Sequence, residues 1–133
     1  MPSTLPGRGP RVLVLTPTRE LALQVTTAVE KYGNAGKNQR RIRTGTVLGG
    51  MPYFKQRRLL EQPLDILVAT PGRLIDFMQQ GKLDYSRVEL LVLDEADRML
   101  DMGFIKPVES IAAATPAGRQ TLLFSATLDG GIA

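Results

Sequence analysis

The sequence predicts an α/β fold, a parallel sheet of about five strands flanked by helices. Three observations carry that prediction. Short β-rich runs alternate with helical patterns along the chain. Several of those runs are continuously apolar, which suits strands covered on both faces. Polar residues also follow strand after strand, and open parallel sheets keep their sites outside the carboxyl ends of the strands.

Taken in order, Pro2–Pro10 reads as a flexible lead-in, so residues 1–10 are set apart from a single domain over 11–133. Arg11–Leu15 (RVLVL) is the first strand. Leu21, Val25, Ala28, Val29 and Tyr32 then follow helical spacing, closed by Gly33. Thr44–Leu48 is the second strand and Tyr53–Gln62 a helix. Asp65–Ala69 (DILVA) is the third strand, followed by a helical face of Leu74, Ile75 and Met78 that ends before Gly81. Leu90–Leu93 is the fourth strand. Ile105–Ala114 is a helix with Pro107 in its first turn, and Gln120–Phe124 is the last strand.

Composition narrows the chemistry. The 43% apolar fraction suffices for one core. No apolar run reaches the roughly 18 residues of a membrane span, and the N-terminus lacks the apolar stretch of a signal peptide, so a cytoplasmic protein is expected. With no cysteine and no histidine, thiolate chemistry, imidazole catalysis and the usual zinc sites are excluded. Any metal is then a hard ion such as Mg²⁺ held by carboxylates. The net charge of +4 is unevenly spread. Lys31, Lys37, Arg40, Arg41, Arg43, Lys55, Arg57 and Arg58 fall in a stretch without one acid, so the remainder nets −4. The basic stretch suits a polyanion, although a solvated face of mixed charge would read the same way.

The segments after the strands carry the candidate sites. Thr16-Pro17-Thr18-Arg19 and Thr70-Pro71-Gly72-Arg73 share one pattern. In it Thr caps a helix, Pro occupies its first position, and an Arg stands in the first turn against the helix dipole. A cation there makes sense beside a bound anion, held by free N–H groups and the guanidinium. Two ordinary capped helices would show the same residues. Gly72 lets a ligand approach the backbone, and Gly49-Gly50 offers a further such place. Asp94, Glu95 and Asp97 crowd three carboxylates against an apolar strand. They suit Mg²⁺ and phosphate, one carboxylate holding the ion through water and its neighbour orienting or deprotonating an attacking water. An acidic turn opening the next helix is the plain alternative. Ser125 and Thr127 can donate hydrogen bonds to a carboxylate such as Asp97.

PTRELA at Pro17–Ala22, GG at Gly49–Gly50, TPGR at Thr70–Arg73, DEAD at Asp94–Asp97 and SAT at Ser125–Thr127 together resemble the DEAD-box ATP-dependent RNA helicases, in order and spacing. The resemblance implies a RecA-like lobe of the P-loop NTPase type, and RNA unwinding coupled to ATP hydrolysis with ATP and Mg²⁺ as cofactors. It implies that Pro17, Thr18, Arg19, Gly49, Gly50, Thr70, Pro71, Gly72 and Arg73 line the RNA backbone. It assigns Asp94 to Mg²⁺ and Glu95 to the attacking water, and makes Asp97, Ser125 and Thr127 a network coupling the nucleotide site to RNA. Contacts to phosphate and sugar would leave binding indifferent to base sequence.

The family's phosphate loop, Gly-x-x-x-x-Gly-Lys-Ser/Thr, has no match in the chain. Gly36-Lys37 has Lys31 in place of the first Gly, and Gly81-Lys82 has Asp76. The second lobe, with its arginine finger, is absent too. The expectation is therefore a truncated lobe that binds neither ATP nor Mg²⁺ tightly and does not hydrolyse ATP alone. Gln120–Phe124 would then be an open edge through which copies pair. A non-catalytic RNA- or partner-binding module, and a fragment without independent function, are the alternatives.

Overall fold

In a computed structural model, the described residues are 9–33, 43–49, 52–60, 62–81 and 85–124. They form β1 (Val12–Leu15), α1 (Arg19–Gly33), β2 (Thr44–Val47), α2 (Tyr53–Leu60), β3 (Ile66–Ala69), α3 (Pro71–Gln79), β4 (Leu90–Leu93), α4 (Ala96–Asp101), α5 (Ile105–Ala114) and β5 (Gln120–Leu123). The five strands make one sheet in the order β2-β3-β1-β4-β5. Every pairing in it is parallel. The expected α/β architecture is present.

The continuously apolar strands split their side chains between two cores. Leu13, Leu15, Leu67, Ala69 and Leu91 face one side, against Leu74 and Phe77 of α3, Met99 of α4 and Ile111 of α5. Leu59 and Leu60 of α2 pack there as well. Val14 and Val68 face the other side, with Ala22 and Val25 of α1. Helices on both faces explain why β1 and β3 show no polar alternation.

The fourth strand has the expected bounds, and the other four differ from theirs by one residue at one end, because the hydrogen bonding fades gradually. Arg11 N–H donates to the Asp65 carbonyl at 3.0 Å, and Phe124 N–H to the Leu93 carbonyl at 2.9 Å, just beyond the paired strands. α2 stops at Leu60, sooner than expected, with Pro63 close behind. α4 was not expected as a separate helix. It is short, buries Met99 alone, and ends where Gly103 takes φ +85°. Gly103 N–H then reaches the Leu100 carbonyl, and Phe104 N–H the Met99 carbonyl. Residues 1–8 of the expected lead-in lie outside the described residues, and Gly9 and Pro10 are buried.

The connection after β1 leads toward β2 at one end of the sheet, and the connection after β4 leads to β5 at the other. Neighbouring strands whose connections diverge in this way open a crevice at their carboxyl ends. That crevice lies between β1 and β4.

Candidate functional site

Along the carboxyl rim, strand order places Gly49, then Thr70–Arg73, then Pro17–Arg19, then Asp94–Asp97, then Phe124. The residues expected to face RNA therefore share the β2–β3–β1 half of the rim. The carboxylates occupy the β4 side of the crevice, beside β1.

The two Thr-Pro-x-Arg turns are built differently, which corrects the expectation of one shared arrangement. α3 begins at Pro71 with Thr70 before it, as expected. α1 begins only at Arg19, and Thr18 is its cap. The Thr18 Oγ1 accepts the Leu21 N–H at 3.2 Å, while Thr16, buried, turns its hydroxyl to the Thr18 carbonyl at 3.3 Å. Pro17 is buried outside the helix, leaving Arg19 exposed as the first helical residue.

At α3 the cap is diverted. Thr70 Oγ1 makes no bond to its own helix and instead accepts the Gly49 N–H at 3.3 Å, tying the turn after β3 to the turn after β2. Thr70 therefore leaves the first N–H groups of α3 without its side-chain cap, an arrangement that suits an anion. Gly49 and Gly72 are exposed, neither needs a positive φ, and a Cβ at either would meet nothing within 4 Å. Packing among the described residues therefore does not require glycine at either place, and the open space would let a ligand come close to the backbone. Gly50 lies outside the described residues.

Gln56, which no spacing argument singled out, stands behind these turns. Its Nε2 donates to the Leu48 carbonyl at 3.0 Å, and its Oε1 accepts from Arg73 at 2.9 Å. It is only 5% exposed. Its sole signal in the sequence is one amide among basic residues, which does not distinguish a buried position from a solvated one. The basic stretch around it is not a single face. Arg43 pairs with Asp65 at 3.3 Å at the amino ends of β2 and β3, away from the rim, whereas Lys55 and Arg58 of α2 are exposed. Lys37, Arg40 and Arg41 lie outside the described residues.

Asp94 is pinned by its N–H to the Leu15 carbonyl at 2.9 Å, and Ala96 N–H reaches the Phe124 carbonyl at 2.8 Å. Between them Glu95 adopts φ 56°, ψ 52°, left-handed backbone that is strained for a residue with a Cβ. Its carboxylate lies 3.5 Å from the Arg98 guanidinium. Burial, and then the Glu95 charge, push the Asp94 carboxyl above its ordinary range, against a backbone N–H of Glu95 that favours the ionised form. A cation would relieve both effects. Among the described residues no three acidic side chains form a metal cage. One carboxylate could hold Mg²⁺ through water, with further oxygens supplied by phosphate. Asp97 Oδ1 is buried and has no hydrogen-bond partner among the described residues. Its expected partners, Ser125 and Thr127, lie outside them.

Fold and rim define a class first, a RecA-like α/β lobe with the motif residues along its carboxyl rim and an acidic crevice. Comparison with known proteins takes the assignment further. The DEAD/DEAH box helicase family model matches residues 3–132. The ATP-dependent RNA helicase DBP2 of Saccharomyces cerevisiae is 51% identical over 126 residues, covering 95% of this chain and 22% of that protein. DBP2 of Vanderwaltozyma polyspora is 50% identical over the same share of this chain and 28% of its own. Among solved structures, the yeast DEAD-box splicing factor Prp28 superposes with a TM-score of 0.82 at 38% identity, over 90% of this chain and 28% of that one. A hypothetical ATP-dependent RNA helicase from Sulfolobus tokodaii gives 0.78 at 42% identity, over 88% and 34%. This chain belongs to the DEAD/DEAH box helicase family. It spans about a quarter of the length of these relatives.

Proposed function

We infer that the chain binds the RNA sugar–phosphate backbone along the β2–β3–β1 half of its rim. Pro17, Thr18, Arg19, Gly49, Gly50, Thr70, Pro71, Gly72 and Arg73 form that face. The observation that carries this reading is the pair of exposed glycines with open space beside them, next to an α3 N-terminus whose cap residue Thr70 bonds Gly49 instead of its own helix. Phosphate contacts make the binding independent of base sequence and sensitive to salt. In the longer helicase Asp94 would hold Mg²⁺ through water, and the ion would neutralise charge on the phosphates of ATP. Glu95 would orient or deprotonate the attacking water, and Asp97 with Ser125 and Thr127 would link that site to the RNA face. The chain alone holds ATP and Mg²⁺ weakly, because no phosphate loop stands beside these carboxylates, and it does not turn ATP over. Copies also associate through β5, whose residues are exposed and end in Leu122 and Leu123, with Phe124 exposed directly after the strand.

Fluorescence anisotropy with a labelled single-stranded RNA across a salt series tests the RNA face. Affinity should fall with salt, and fall further in Arg73→Ala. A folded sample that does not bind overturns the reading. RNA-stimulated phosphate release that disappears in Glu95→Gln would overturn the expected inactivity.

A further inference from the structure

Three hydrogen bonds close a ring behind the proposed RNA face. Gly49 N–H donates to Thr70 Oγ1, Arg73 donates to Gln56 Oε1, and Gln56 Nε2 donates to the Leu48 carbonyl. Backbone completes the circuit from Leu48 to Gly49 and from Thr70 to Arg73. The turn after β2 is thus held on both sides, its carbonyl by Gln56 of α2 and its N–H by Thr70 at the entry to α3. Gln56 reaches both turns, and it is buried where neither solvent nor ligand competes for its amide. A buried amide with both ends bonded leaves the groups it joins little freedom to move separately.

We propose that Gln56 is the positioning residue of the RNA face, setting the Gly49 turn and the Arg73 guanidinium in one fixed relation so that they meet consecutive phosphates as a unit. The proposal rests on the RNA reading above. Gln56 itself touches no RNA. It acts by preventing Arg73 from swinging away from the rim and by keeping the backbone at Gly49 from tilting into the space a phosphate needs. Part of the ordering that RNA would otherwise impose is then already present in the free protein, and affinity rises accordingly.

The first experiment measures binding of a fluorescein-labelled oligouridylate to wild type, Gln56→Leu, Arg73→Ala and the double variant, each across a salt series. Gln56 is uncharged, so a merely structural role leaves the salt slope where it was. The expected result for Gln56→Leu is about tenfold weaker binding, the scale of a lost hydrogen bond to a charged group. With it, the slope of log affinity on log salt should flatten by about 0.7, one phosphate contact on a single strand. The losses of the two single variants should not multiply in the double variant, because they remove the same contact. A folded Gln56→Leu with wild-type affinity and slope, beside a weakened Arg73→Ala, overturns the positioning role and leaves the RNA reading standing. Failure of the wild type to bind overturns the RNA reading itself.

A second measurement needs neither RNA nor a folded Gln56 variant. Hydrogen exchange at the Gly49 amide should be several-fold faster in Arg73→Ala than in wild type, since removing one link loosens the whole ring. Equal exchange rates would mean that the two turns are independent, and the proposal falls.

Discussion

Gly45 and Gly72 are both glycines near the same strands, and the structure gives them opposite reasons. A Cβ at Gly45 would stand 3.1 Å from Leu59 and Leu64, so glycine there serves packing. Gly45→Ala should destabilise the chain by about 1–3 kcal/mol in a denaturant titration, the usual cost of overpacking. Gly72 is helical with open space beside it, so Gly72→Ala should leave stability unchanged or raise it by about 0.4–1 kcal/mol. If RNA approaches there as proposed, affinity of that variant should drop about tenfold, or 1.4 kcal/mol, because a Cβ would fill the space the RNA backbone would use. Asp94 gives a pH prediction at the same scale. Its folded-state carboxyl is raised, so the folded chain holds that proton more tightly than the unfolded chain does. Its contribution to stability therefore falls as pH climbs from the ordinary carboxylate range through the raised value, and the full penalty persists at neutral pH. Asp94→Asn should raise the thermal midpoint at neutral pH and remove this part of the pH dependence. No gain at neutral pH would show that the carboxylate is not under strain. The candidate residues were readable from the sequence because their types and spacing carry chemistry locally. Gln56 was not, since its role depends on Leu48 and Arg73 being brought to it by other elements.

Among the elements, the strands and long helices were legible because period and punctuation are local properties. α4 was not, being too short for its single buried residue, Met99, to establish a period. The capping of α1 was misread for a related reason. Thr16 and Thr18 are equally good caps by type, and only the sheet decides between them, by drawing Thr16 into the β1 ladder through its N–H to the Ala69 carbonyl at 3.0 Å. The element that most depends on its neighbours is α3, whose Phe77 is fully buried against the sheet and the α5 side of the core. Phe77→Ala should cost about 3–5 kcal/mol, a large part of the roughly 5–15 kcal/mol that holds a domain folded. Circular dichroism during thermal unfolding would read this as a much lower midpoint. A small shift would mean that the α3 side of the core repacks freely.

At the scale of the whole molecule, the described residues cover the sheet well except at β5, where Leu123 is 66% exposed and Phe124, directly after the strand, 53% exposed. Leu123→Lys should shift light-scattering mass toward the monomer without weakening RNA binding, because β5 lies at the far end of the sheet from the β2 and β3 turns. Wild type that is already monomeric at micromolar concentration would remove the case for association through this edge. The sequence by itself determined the α/β class, the strands and the longer helices, the absence of thiol and imidazole chemistry, and the motif residues. All of these follow from residue types and their spacing along the chain. The tertiary structure alone decided the strand order, and hence that β1 and β4 meet at a crevice with the carboxylates on one side. It decided that Arg43 leaves the basic stretch to pair with Asp65, and that Gln56 joins two turns distant in sequence. Such relations depend on which strands become neighbours, and neighbourhood is set by the packing of the whole core rather than by any stretch of residues read alone.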